Sequence, residues 1–125
     1  MGIFDGLMGN ASELSAESVQ KEIAEILTDN ESVKNAYKVI RDTFIFTDKR
    51  LILIDKQGVT GKKIEYLSIP YKSILNFSIE TAGTFDLDAE LKIWVSGGGV
   101  PIQKKFNKET NIFDVQRVLA EYVLP

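Results

Sequence analysis

The sequence predicts a mainly β fold: seven antiparallel strands closed by a C-terminal helix and preceded by an N-terminal helical segment. Three observations lead there. From Ser32 to Phe106, short runs rich in Val, Ile, Phe, Tyr and Thr alternate with turn residues. The last segment then switches to a helical repeat of apolar positions. No low-complexity linker or internal repeat divides the chain, and 125 residues bury roughly two thirds of their unfolded surface on folding. One core is therefore enough.

Ile3, Phe4, Leu7 and Met8 cluster on one side of a short, glycine-flanked piece. A better helix begins at Ser15, an N-cap residue, with Glu17 in its first turn and Val19, Ile23, Ile26 and Leu27 on one face, up to Thr28-Asp29-Asn30. Residues 1–30 thus read as a helical segment that packs on the domain or on a neighbouring subunit, and residues 31–125 as the β domain. Its first run, Val33 to Ile40, sets Val33, Tyr37 and Val39 opposite Lys34 and Lys38. Thr43 to Thr47 places Phe44 and Phe46 together, and Leu51, Ile52, Leu53 and Ile54 form a run apolar on both faces. Lys62 to Ile69 stops at Pro70, which cannot donate to a ladder. Ile74 to Thr81 alternates Leu75, Phe77 and Ile79 with polar neighbours, and Leu91, Ile93 and Val95 oppose Glu90, Lys92 and Trp94. Gly97-Gly98-Gly99 turns the chain into Val100, Ile102, Lys104 and Phe106. Asn111 caps a closing helix striped by Ile112, Val115, Leu119 and Tyr122.

Composition narrows the function. With no His and no Cys, the usual general base, the thiol nucleophile and the zinc-finger ligands are missing. No catalytic, cofactor or metal site is expected, and the chain does not read as an enzyme. Asp86, Asp88 and Glu90 read as a solvated loop entering a strand, and the three glycines lack the Lys and Ser or Thr that follow in a phosphate cradle. No stretch approaches the roughly 20 apolar residues that span a bilayer. The opening residues, with Asp5 inside a short apolar part, lack the basic region of a secretory signal, so the expected location is cytoplasmic. A net charge of -3 repels phosphate backbones and anionic lipid at long range, so nucleic acid is not an expected partner and membrane association is disfavoured, with a peripheral ligand- or anionic-lipid-binding domain using a basic surface as the alternative reading. Two surfaces stand out instead. Leu51, Ile52, Leu53 and Ile54, with the outward Trp94, suit self-association. Lys34, Lys38, Arg41, Lys49 and Arg50 are the candidates for an anionic-ligand surface.

Several strings carry a family likeness: Ala36-Tyr37-Lys38, Arg41-Asp42, Phe44-Ile45-Phe46-Thr47, Lys49-Arg50-Leu51, Ile69-Pro70-Tyr71-Lys72-Ser73-Ile74, and Asp88 through Trp94. From Glu31 onward the chain resembles the bacterial branch of the pleckstrin-homology (PH) superfamily. The resemblance implies a seven-stranded PH-like barrel or sandwich capped by its C-terminal helix. It also implies a non-enzymatic binding or interaction role of undefined nature, and homo-oligomers assembled as rings. It does not bring phosphoinositide binding with it, because lipid-binding relatives use a long Lys/Arg-rich loop between their first two strands. Here that link is Arg41-Asp42. The tryptophan of the closing helix is also missing, and Trp94 lies in a strand instead.

Overall fold

The computed structural model describes residues 13–39, 42–57, 63–81, 83, 88–107 and 109–125. The apolar piece around Ile3 and Met8 lies outside these residues, as do Asp86 and Arg41. The elements run β1 (Glu13–Leu14), α1 (Ala16–Glu22), β2 (Val33–Lys38), β3 (Thr43–Thr47), β4 (Arg50–Gln57), β5 (Lys63–Pro70), β6 (Ile74–Glu80), β7 (Asp88–Val95), β8 (Ile102–Asn107) and α2 (Ile112–Val123). The seven runs read from the sequence are β2 to β8. All described strand pairs are antiparallel, in a first sheet ordered β1-β2-β3-β4-β5 and a second ordered β6-β7-β8.

Alternation along the central strands of the first sheet divides the interior in two. Phe44, Phe46, Leu51 and Leu53 face the second sheet and α2, where they meet Leu91, Ile93, Phe106, Val115 and Leu119 in the main core. Ile45, Ile52 and Ile54 face the other way and are covered by Val19 and Ile23 of the α1 segment, with Ile26 and Leu27 beside them. Ser15 caps α1, its hydroxyl accepting from the Ser18 amide at 3.3 Å. The helix ends at Glu22, and a single 3₁₀ turn (Ala24–Ile26) carries the apolar face onward, so the segment is shorter as an α-helix than the repeat suggests.

Two expected alternations break, each at a bulge. Register slips between Val33 and Asn35 in β2, so Val33 and Ala36 join the α1 side while Tyr37 and Val39 enter the main core. Register also slips between Ile74 and Asn76 in β6. Ile74 stays buried and Leu75, read from the sequence as inward, is 64% exposed. One extra residue flips the parity of a strand.

Helix α2 is fixed at both ends. Its cap Asn111 accepts from the Asp114 amide at 3.3 Å, and Asp114 accepts a 2.6 Å hydrogen bond from the buried Tyr37 hydroxyl. At the far end Tyr122 stacks on Tyr71 with ring centroids 4.8 Å apart. Across the gap between the sheets, Lys104 on β8 reaches Asp42 ahead of β3 at 3.0 Å.

Ile52→Ala should cost about 3 kcal/mol in chemical denaturation, since it opens a cavity under α1. Leu75→Ala should stay within about 0.5 kcal/mol of the parent. Comparable losses for the two would contradict the β6 bulge.

Candidate functional site

The densest polar constellation sits where the segment after α1 meets the β3–β4 turn. The Glu31 side chain has no exposed surface. Its Oε2 accepts from Arg50 Nε at 2.8 Å and from the Thr47 hydroxyl at 2.6 Å; its Oε1 accepts from an Arg50 terminal nitrogen at 2.9 Å and from the Thr28 amide at 3.1 Å. Arg50 also donates to the Ile26 carbonyl and to Ser68 Oγ. Thr47 Oγ accepts from the Lys49 and Arg50 amides, and its carbonyl takes the Tyr71 hydroxyl at 2.6 Å. The buried charge is therefore paired in bidentate geometry and fully hydrogen-bonded, the condition under which a buried ion pair is sustained.

Burial acts to raise the Glu31 pKa. The hydrogen bonds from Arg50, Thr47 and Thr28, with the Arg50 charge, outweigh it and hold the carboxyl at about 2, against an ordinary 4.5. Tyr37 and Tyr71 go the other way. Burial pushes both phenols far up, helped by the Asp114 carboxylate at Tyr37 and by Tyr122 at Tyr71, so both remain protonated donors. Such a network positions chain segments, and nothing in it is poised to attack a substrate.

A groove of about 380 Å³ lies over this network, lined by Thr28, Glu31, Lys49, Arg50, Ser68 and Pro70. A second of similar volume is bounded by Glu17, Gln20, Lys21 and Val33. Among the described residues no group of three or more acids converges as a metal site. Asp88 and Glu90 lie along β7, facing Asn107 and Lys105 across the ladder. Gly97, Gly98 and Gly99 all have positive φ, at 102°, 80° and 95°, and join β7 to the antiparallel β8 as a turn.

The two expected surfaces fare differently from their sequence reading. Leu51, Ile52, Leu53 and Ile54 are all buried within the chain, Ile54 the most exposed of them at 9%. The strand apolar on both faces is covered by α1 on one side and by the second sheet and α2 on the other, so these four present no face to a second copy. Trp94 is partly exposed on the outer face of the second sheet, opposite Asn76. Of the basic set, Lys34 and Lys38 are exposed but stand four residues apart along β2, roughly 13 Å, and Lys49 is exposed on the β3–β4 turn. Arg50 is committed to Glu31, which cancels its charge. Among the described residues, Lys34, Lys38, Lys49 and Arg50 are not brought together as one anion site.

Sequence reasoning passed over the outer edge of β5. That strand ends the first sheet, and among the described residues nothing pairs with its free side. Ile64, Tyr66 and Leu67 on it are 39%, 48% and 37% exposed. Pro70 was the available signal, because proline in a strand marks an edge.

The two sheets, their order and the helix across them can now be compared with known proteins. The family model described as bacterial PH domain matches residues 2–123. This chain belongs to the bacterial PH domain family. An uncharacterized Bacillus subtilis protein, YjqA, is 61% identical over 96% of this chain and 97% of its own length. A second uncharacterized protein of that organism, YozO, is 31% identical over 98% of each chain. Among solved structures, a pleckstrin homology domain from Shewanella amazonensis shares 55% identity and superposes with a TM-score of 0.83, covering 99% of this chain and 100% of that one. A protein with a pleckstrin-homology domain from Shewanella loihica shares 53% identity at a TM-score of 0.80, covering 93% and 99%. The bacterial PH domain has no described helix long and apolar enough to cross a membrane.

Because the folded Glu31 pKa lies below its unfolded value, the stability it contributes is full above pH 4.5 and is lost as pH falls toward about 2. The loss should amount to roughly 3 kcal/mol. Arg50→Met should cost about 3 kcal/mol at neutral pH by leaving Glu31 buried and unpaired, and should weaken that acid-side slope. A stability curve flat between pH 5 and pH 2.5 would contradict the assignment.

Proposed function

We propose that this bacterial PH domain is a non-enzymatic, cytoplasmic interaction module that self-assembles into a homo-oligomer, with the free edge of β5 as its principal contact. The observation that supports this reading is the unpaired eight-residue strand carrying Ile64, Tyr66 and Leu67 in partial exposure. A long edge with apolar side chains is a template for another strand, and soluble proteins ordinarily shorten, charge or cover it. Here Lys63, Glu65 and Pro70 limit it only in part.

Tyr66 and Ile64 stand opposite Ile54 and Lys56 and so extend the apolar face that α1 covers. Leu67 stands opposite Leu53 at the rim of the main core. An added strand would bury both sides at once. A closed ring needs two different surfaces on each copy, and β6, which ends the second sheet among the described residues, supplies a second unpaired edge. This agrees with the ring arrangement that the family resemblance implies.

Light scattering coupled to size-exclusion chromatography should give a discrete multiple of 14.0 kDa. Tyr66→Lys combined with Leu67→Glu should bring the mass down toward one chain while leaving the thermal midpoint of folding nearly unchanged, because both side chains are partly exposed in the protomer. A single-chain mass at every concentration would refute self-assembly. An unchanged oligomer in the double variant would refute β5 as the contact.

A further inference from the structure

Helix α2 carries a second apolar stripe on the side away from the core. At 3.6 residues per turn, Phe113, Ala120 and Leu124 fall within about 40° of one another, opposite the buried Val115, Val118 and Leu119. Leu124 keeps the helical course, since its amide still donates to the Ala120 carbonyl at 2.9 Å. Phe113 is 63% exposed and Leu124 57%, with Ala120 partly exposed between them. Among the described residues no side chain buries this stripe.

The described chain begins beside the first turn of that helix. Glu13 stands opposite Tyr37 in the β1–β2 pair, so the two share a face of the sheet. That face looks onto α2, where the Tyr37 hydroxyl donates to Asp114, the neighbour of Phe113. Behind burial and Asp114, the Glu13 charge also raises the Tyr37 pKa while Arg117 opposes it, so all these groups converge there. Residues 1–12 lie outside the described residues. Twelve residues reach up to about 40 Å when extended, against about 16 Å from Phe113 to Leu124. The other exposed apolar stripe, Ile64 and Tyr66 on β5, stands four strand spacings from β1, roughly 19 Å across the covered sheet. We propose that the opening segment of the same chain docks on α2: Leu7 and Met8 seat toward Phe113, Ile3 and Phe4 toward Leu124, and Asp5 beside Arg117. Asp5 is the only charged side chain among residues 1–12. Arg117 adjoins the stripe, is 68% exposed, and engages Asp114 through one terminal nitrogen at 2.7 Å, which leaves donors for a second carboxylate. Two large side chains make a patch too small to hold a separate molecule firmly. A tethered segment docks there readily, because a short linker supplies a millimolar effective concentration. The inference does not depend on self-assembly through β5.

The chain has no cysteine, so an introduced pair reports on one contact. In the full chain, Phe4→Cys with Ala120→Cys should close a disulfide within a single 14.0 kDa chain on mild oxidation. Phe4→Cys with Val100→Cys, placed at the 89% exposed hairpin tip, should not. Phe4→Ser and Phe113→Ser should each lower the thermal midpoint by about 3 °C, and the double variant by no more than either alone. No disulfide to position 120, a disulfide joining two chains, equal cross-linking at position 100, or midpoint losses that add would each overturn the inference.

Discussion

A strand apolar on both faces sets the terms for this molecule. Leu51 and Leu53 on one side of β4 and Ile52 and Ile54 on the other cannot all be buried by a single layer. Two covers are required, and the chain provides them from its two ends: α1 over the Ile side, the second sheet with α2 over the Leu side. Most of the apolar pattern elsewhere serves one cover or the other, which explains why a small β domain devotes a helical segment to each end of its sequence.

The covers are held in place by polar pairs that leave few buried charges unanswered. Glu31 and Arg50 join the segment after α1 to the β3–β4 turn, and Arg50 carries the connection on to Ile26 and to Ser68 of β5. Lys104 and Asp42 bridge the two sheets at a place where no ladder does. These contacts are directional where the apolar ones are not, so they fix how the layers sit and not merely that they collapse. The same economy leaves Arg50 without charge to offer a ligand.

How much of this was legible can be traced residue by residue. The seven strands and the closing helix follow from apolar periodicity and turn residues, and Ser15 and Asn111 cap as their residue types suggest. The bulges at Val33–Asn35 and Ile74–Asn76 were not legible, because an extra residue costs a strand nothing in composition while inverting its faces; Leu75 was misplaced for that reason. Nor was the Glu31–Thr47–Arg50–Tyr71 network, whose members come from three separate stretches of the sequence and carry no periodic signal. Leu51 to Ile54 was correctly seen to need cover on both faces, but a sequence cannot tell whether its own helix or a neighbour supplies it.

The hydrogen bond between Tyr37 and Asp114 joins residues 77 apart, and it has a bearing on how the chain comes to be folded at all. Tyr37 belongs to the first long strand made, whereas Asp114 belongs to the last helix. While the polypeptide is being synthesised, the phenol and the surrounding Phe44, Phe46 and Leu53 wait without their lid. Folding to completion must follow synthesis of α2, and a nascent or C-terminally shortened chain presents chaperones and proteases with a main core uncovered on its α2 side.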